Sequence, residues 1–286
     1  MAPLVWLVTG CSSGFGEQFV YQILARGDKV IATGRNAATK LTHLEGTGAA
    51  ILDLDISLSA DETALKVEQA LQIYGGIDVL VNNAGYIESS PIEELVPERL
   101  LRSYNTNIFG HYNVTRALLP HMREKRSGVI GFVGSQAGWM GDPSATAYVS
   151  SKFALEGIVE CLQKEIAMFG IQVTIFEPGY FRTQALSQQN IQHEPGKIPA
   201  YEEFNKAVIQ YEKAVYGNEP GDPVKAVSRM IDVLTGTGTA AGKPFPPRMP
   251  LGTDGLKVMR DKCQDTLKML DEWEDFIVST DFTKEG

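Results

Sequence analysis

Leu4-Val5-Trp6-Leu7-Val8-Thr9-Gly10-Cys11-Ser12-Ser13-Gly14-Phe15-Gly16 carries an apolar run straight into a glycine-rich turn. Five consecutive apolar residues without polar alternation read as a strand covered on both faces. The glycines allow a tight turn and a close backbone approach to a ligand. An amphipathic helix over Glu17–Arg26 follows, and its free N-terminal amides favour a pyrophosphate. A glycine turn without a ligand has the same local pattern, so the rest of the chain must decide.

Working outward, the same rhythm repeats. Leu4–Val8, Lys29–Thr33, Ala50–Leu54, Val79–Val81, Val129–Val133 and Val173–Phe176 are short runs rich in Val, Ile and Leu. Glu17–Arg26, Asp61–Tyr74, Pro97–Met122 and Ala147–Phe169 are amphipathic at helical spacing. This alternation predicts an α/β fold, a Rossmann-type doubly wound parallel sheet with helices on both faces. Tyr180 to Pro223 breaks the rhythm with Ser187-Gln188-Gln189-Asn190, Pro195-Gly196 and Pro199. A helix bearing Tyr201, Phe204, Tyr211 and Tyr216 follows. That length and composition predict a substrate-binding loop or lid over residues 180–223. A helix resumes over Pro223–Leu234. The proline-rich Lys243–Pro250 leads to a last helix with apolar Leu256, Met259, Leu267, Leu270 and Phe276 and a charged, solvated face. The expected organisation is one domain over residues 1–286, with residues 243–286 as a C-terminal extension.

Tyr148 and Lys152 lie four residues apart in AYVSSKFALEG, on one helix face. An ammonium beside a phenol favours the phenolate and is expected to lower the tyrosine pKa, which suits acid–base work. At the end of the second strand, Ala32-Thr33-Gly34-Arg35-Asn36 offers an arginine and no acid. An acid would bond a ribose 2′-hydroxyl and repel a 2′-phosphate, whereas a guanidinium pairs with the phosphate. NADP(H) is therefore the expected cofactor over NAD(H), although Ser13 is not basic.

Together these residues resemble the short-chain dehydrogenase/reductase family from about Leu4 to Leu234, nearest in style to carbonyl reductases and to steroid and retinol dehydrogenases. TGCSSGFG is similar to its T-G-x-x-x-G-x-G loop, and Asn82-Asn83-Ala84-Gly85 to its N-N-A-G motif. Asp55-Ile56 matches its adenine-side pair and Pro178-Gly179 with Thr183 its P-G-x-x-x-T element. Ser135 lies thirteen residues before Tyr148, which is the family's spacing, and Asn107 matches its helical asparagine. Gly134 replaces a common second serine. The resemblance implies Asn107, Ser135, Tyr148 and Lys152 as the catalytic set. It implies Gly10, Ser12, Ser13, Gly14, Phe15, Gly16, Arg35, Asp55, Ile56, Asn82, Ala84, Gly85, Tyr148, Lys152, Pro178, Gly179, Phe181 and Thr183 as cofactor-binding. Tyr148 would exchange a proton with the substrate oxygen, and Lys152 would favour the phenolate and hold the ribose. Ser135 would polarise the carbonyl, and Asn107 would position a water linking Lys152 to solvent.

The substrate expected is a bulky, largely apolar carbonyl compound or secondary alcohol, with Trp139, Met140, Tyr86, Tyr180, Phe181 and the lid aromatics as candidate pocket residues. An imine reductase or a secondary-metabolism enzyme on the same scaffold stays open, as does a non-catalytic dinucleotide-binding regulator. Such regulators typically lose the tyrosine or lysine kept here.

The bulk properties fit these expectations. A formal charge of −9 over 286 residues, without a basic run, argues against nucleic acid. Cys11, Cys161 and Cys263 make no disulfide framework, and with His43, His111, His121 and His193 they make no metal spacing, so no metal is expected. No leader or membrane-length apolar stretch is seen, and a cytoplasmic protein is expected. The resemblance also implies a homodimer or homotetramer through the helices at Pro97–Met122 and Ala147–Phe169.

Overall fold

The computed structural model describes residues 2–187, 190–193 and 196–282. Gln188, Gln189 and Pro195 of the lid, and the last four residues of the C-terminal extension, lie outside the described residues.

The strands are β1 (Val5–Val8), β2 (Lys29–Gly34), β3 (Ala50–Asp53), β4 (Val79–Asn82), β5 (Ile87–Ser89), β6 (Gly128–Val133), β7 (Ile171–Pro178), β8 (Ile191–His193) and β9 (Arg248–Leu251). The helices are α1 (Gly14–Ala25), α2 (Ala37–Lys40), α3 (Ala60–Tyr74), α4 (Pro97–Tyr104), α5 (His111–Lys125), α6 (Thr146–Ile166), α7 (Glu202–Val215), α8 (Pro223–Thr235) and α9 (Thr253–Val278). Among the described residues one seven-stranded parallel sheet runs β3-β2-β1-β4-β6-β7-β9, and β5 pairs with β8 in a small parallel ribbon. The doubly wound sheet expected from the sequence is present.

Each sheet face buries its own core. Leu7, Ile31, Leu80, Ile130 and Ile175 face Val67, Val114, Leu118, Leu155 and Val159 of α3, α5 and α6. Trp6, Val8, Val30, Val81 and Phe176 face Phe19, Ile23, Val227, Met230 and Leu234 of α1 and α8. Strands apolar on both sides follow directly from this two-sided burial. Order reverses between β1 and β4, which opens a crevice at the C-terminal strand ends.

Three expectations are corrected. The helix expected over Pro97–Met122 is interrupted by a π-helical segment, Asn105–Gly110, and runs on to Lys125. A β-carbon at Gly110 would sit 2.6 Å from the Ile56 carbonyl, so the chain is pressed close to the β3 loop there. Lys243–Pro250 contributes the edge strand β9. Its Pro250 hides the strand from pattern reading, and an edge position tolerates the missing donor. The charged face is not the only solvated part of the last helix, because Leu256, Leu267, Leu270 and Phe276 are exposed as well. Met259 is buried, but every described residue from Lys262 onward is exposed.

Candidate active site

A cavity of about 720 Å³ occupies the crevice at the switch point. One wall begins at the turn between β1 and α1. Gly10 adopts φ +72°, and a β-carbon there would lie 2.7 Å from the Ala84 Cα. Gly16 is packed equally hard, its hydrogen facing the Gly10 carbonyl and the Asn83 amide. Asn83 locks this arrangement: its side chain donates to the carbonyls of Thr9 (2.9 Å) and Gly10 (3.1 Å). The Thr9 hydroxyl in turn accepts from the backbone amides of Asn83 and Ala84. Glycine is required because backbone passes backbone, and the result is a cradle that a side chain would fill.

Gly10, Ser12, Ser13, Gly14 and Phe15 line the cavity, joined by Arg35, Asp55, Ile56, Ala84, Gly85, Pro178, Gly179, Phe181 and Thr183. Gly16 and Asn82 do not reach it. Gly16 supports the loop from behind. Asn82 is buried and donates to the Thr115 hydroxyl at 2.9 Å, tying β4 to α5. Lys40, at the end of α2, also lines the cavity beside Gly34 and Arg35. Sequence reading missed it. The available signal was its position five residues after Arg35, across a turn that begins at the left-handed Asn36 (φ 52°).

Ser135, Tyr148 and Lys152 meet on the opposite wall, at the end of β6 and the first turns of α6. The Lys152 ammonium is buried, donates to the Val133 carbonyl at 2.8 Å and stands 5.6 Å from the Tyr148 ring centroid. Burial lowers its pKa from 10.5 to about 8, partly resisted by Glu156. The expected lowering of Tyr148 is not found in this structure. Desolvation pushes its phenol above the usual 10, and a hydrogen bond with Ser135 pulls it only part of the way back. The reason is solvation: the lysine is oriented to a carbonyl rather than the phenolic oxygen, and the tyrosine loses water on entering the wall.

Asn107 does not line the cavity. Buried in the π-helical segment, it accepts from the Tyr86 amide (3.2 Å) and donates towards the Tyr86 carbonyl (3.1 Å) and the Ser151 hydroxyl (3.2 Å). It thus fastens the start of β5 to α6 beside Lys152. π-Segments of this kind occur often at functional sites. His111, one turn later, is fully buried and its pKa falls to about 3 through burial and the nearby Lys152, so it is neutral.

Behind Ser135 and Lys152 lies a pair of carboxyl groups that sequence reading did not single out. Glu156 follows Lys152 by one helical turn, and Glu177 sits near the end of β7; both are buried. Burial and the neighbouring Glu177 raise the Glu156 pKa, so the pair shares a proton at neutral pH. Glu177 accepts from the Trp139 indole at 2.6 Å. Arg248 of β9 approaches Glu156 at 3.6 Å and stacks on Trp139 at 4.9 Å. Trp139 therefore belongs to this buried support and not to the pocket.

The remaining wall is built by the lid. Met140, Tyr86, Tyr180 and Phe181 line the cavity as expected, with Phe204, Val208, Tyr211 and Val215 of α7 above them. Tyr201 and Tyr216 stay outside. The lid is fastened by Glu94, whose carboxylate accepts from the Lys197 and Ile198 amides and the Asn205 side chain, each at 2.8 Å. Glu212 pairs with His193 at 2.8 Å. Among the described residues no group of His, Cys, Asp and Glu is arranged to hold a metal, and no helix is long and apolar enough to cross a membrane.

Known proteins resemble this chain in sequence and fold. The short chain dehydrogenase family model matches residues 4–194. An uncharacterized oxidoreductase of Bacillus subtilis, YusZ, is 35% identical over 245 residues, 82% of this chain and 86% of that protein. Human retinol dehydrogenase 8 is 30% identical over 248 residues, 82% and 79% of the two chains. The crystal structure of a short-chain dehydrogenase from Streptomyces avermitilis superposes with a TM-score of 0.83 at 34% identity, covering 98% of this chain and 99% of that one. With the glycine cradle, the switch-point cavity and the Ser135–Tyr148–Lys152 wall already described, this chain belongs to the short-chain dehydrogenase/reductase family of oxidoreductases.

Proposed function

We propose that the protein is an NADP(H)-dependent oxidoreductase that interconverts a carbonyl and a secondary alcohol on a bulky, largely apolar substrate, with Tyr148 as general acid/base. The observation that carries the reading is one cavity bordered by a glycine cradle and two cations on one side and by Ser135, Tyr148 and Lys152 on the other. The cradle fits a dinucleotide: backbone approaches without side chains at the N-terminus of α1, where anionic charge is favoured. The bound nicotinamide would supply or accept the hydride.

The chain's own residues have separate tasks. Arg35 and Lys40 give the phosphate end two positive charges and no carboxylate on β2, which supports NADP(H) over NAD(H). The Ser135 hydroxyl holds the substrate oxygen at the Tyr148 phenol. Because desolvation keeps that phenol protonated, Tyr148 is ready to donate a proton in the reductive direction. Lys152 sits one helical turn away, and a positive charge there stabilises the phenolate left behind. Its pKa near 8 lets it lose or regain a proton close to neutral pH. The aromatic and aliphatic lid lining supports a bulky apolar substrate, and retinol, named for the human relative, is of that class.

Self-association through the faces of α4 to α6 is part of the proposal, because Leu101, Phe109, Tyr112 and Phe153 lie exposed there. The test of the activity is a panel of ketones, aldehydes and alcohols followed by nicotinamide absorbance, with NADPH and NADH compared. Tyr148→Phe is expected to lower kcat by at least about 1,000-fold with NADPH still bound. Arg35→Asp is expected to raise the KM for NADPH and leave that for NADH nearly unchanged. Full turnover by Tyr148→Phe, or a strong NADH preference in the natural protein, would refute the reading.

A further inference from the structure

Positive and negative charges are segregated within the cavity. Among the described residues three cations line it, Arg35 and Lys40 near the glycine cradle and Lys152 beside Tyr148. Asp142, in the exposed loop after β6, and Glu212 of α7 line it on the lid side. Burial, and then the charge of Glu212, raise the Asp142 pKa, so the two carboxyl groups feel each other.

Their surroundings leave this charge uncancelled. Ser89 donates to Glu212 Oε1 at 3.3 Å, and His193, itself outside the lining, pairs with Oε2 at 2.8 Å. The Asp142 carboxylate has no hydrogen bond or ion pair among the described residues. A protonated His193 therefore offsets Glu212 and still leaves one negative charge. Arg99 and Arg102 of α4 pair with Glu88 and stay outside the lining. A further acceptor follows Ser135. Gln136 lines the same cavity, is nine-tenths buried, and its Oε1 has no hydrogen-bond donor. A buried acceptor of this kind costs stability until a donor arrives. Tyr180, Phe204 and Tyr211 add aromatic faces, which attract an alkylammonium. Unmet acceptors, net negative charge and aromatic faces call for one ligand chemistry, an N–H donor that carries positive charge.

We propose that the substrate combines its apolar body and its carbonyl or secondary alcohol with a protonated amine, held by Asp142 and Glu212, with Gln136 as a further acceptor. The inference rests on the carbonyl–alcohol reading above and names which bulky substrates the cavity selects. A substrate with a carboxylate in place of the amine meets like charge and is rejected.

Two ketones of one shape test it: an aryl alkyl ketone ending in a dimethylamino group, and its analogue ending in isopropyl. Both are assayed with NADPH at neutral pH over a series of chain lengths, and calorimetric titration into the NADPH-loaded protein follows their binding. The dimethylamino ketone is expected to be favoured at least about tenfold in kcat/KM, chiefly through KM, as for one charge-assisted hydrogen bond. Asp142→Asn alters a carboxylate without partners, so the fold should persist while the preference falls about fivefold or more. Asp142→Lys should reverse the preference. Equal kcat/KM for the two ketones in the natural protein, or a preference unmoved by both variants, would overturn the proposal and leave the carbonyl–alcohol reading standing. Turnover of neither ketone would count against that reading instead. Titration then decides the acidic end by itself, and equal binding of the two ketones would overturn it.

Discussion

Replacing Lys152 with methionine should abolish turnover and yet make the cofactor-free protein more stable at neutral pH. The folded chain holds this ammonium at a pKa of about 8, against 10.5 for an exposed lysine. A base whose folded pKa is depressed costs stability wherever the unfolded chain is protonated and the folded chain resists protonation. The penalty is complete below about pH 8 and fades as pH rises towards 10.5. A gap of 2.5 units corresponds to about 3 kcal/mol at pH 7. Methionine removes that penalty but also removes the hydrogen bond to the Val133 carbonyl, worth about 1–3 kcal/mol if the acceptor stays unpaired. The net gain expected at pH 7 is therefore about 1 kcal/mol, near 2 °C in Tm for a chain of this size.

The pH dependence isolates the cause. Between pH 7 and pH 9.5 the natural protein should gain about 2 kcal/mol relative to the variant, since only the natural protein carries the titrating ammonium. Glu156 acts in the same direction: without Lys152 its pKa rises further, which costs the variant more stability as pH increases. Other groups that titrate in this window, Cys11 among them, are common to both proteins and cancel in the difference. Urea unfolding at half-unit pH intervals gives both curves. Stability profiles that run parallel from pH 7 to pH 9.5 would refute the claim that burial, rather than the phenol, governs Lys152. The expected trade of stability for catalysis is one that active sites commonly show.

Gly16→Ala sets helix propensity, which favours alanine by about 1 kcal/mol, against a β-carbon pressed on the Gly10 carbonyl and 2.7 Å from the Asn83 amide nitrogen. Packing should win, with a lower Tm and NADPH binding weakened at least about tenfold by fluorescence titration. Asp232→Ala should destabilise by about 2 kcal/mol in urea unfolding, because Asp232 joins Arg26, Arg229 (both 2.9 Å) and the Thr239 hydroxyl (2.9 Å) across α1 and α8. Burial alone would raise the Asp232 pKa, but the Thr239 and arginine bonds outweigh it and lower it, so this stabilisation is lost as pH falls through the depressed value. Glu94→Ala frees the three donors that fasten the lid and should raise the substrate KM about five- to tenfold, with thermal stability changed little.

The parts legible in the chain were those with a local cause. Strand–helix alternation follows from two-sided burial, and each of the six strands expected recurs within a few residues of its observed ends. The glycine turn was legible because only glycine permits backbone to pass backbone, and the Tyr148–Lys152 pair because one helical turn puts both on one face, whereas Ser135 came from the family resemblance. Less was legible where the cause is remote in sequence. β9 carries a proline and pairs only with β7, and β5 meets β8 across about a hundred residues. Lys40 reaches the cavity only because α2 turns back towards β2 and β3. Trp139 appeared to be a pocket aromatic until Glu177 and Arg248 gave its indole a buried role.

The pKa of Tyr148 marks the division most clearly. Residue type and spacing along one helix determined that a phenol and an ammonium would be neighbours, since helical periodicity is a local property. Whether the ammonium lowers the phenol, or burial raises it, depends on how much water each loses and where the lysine points. The Val133 carbonyl that holds the ammonium, the burial of the phenol and its hydrogen bond with Ser135 decide that, and only the folded chain brings them together.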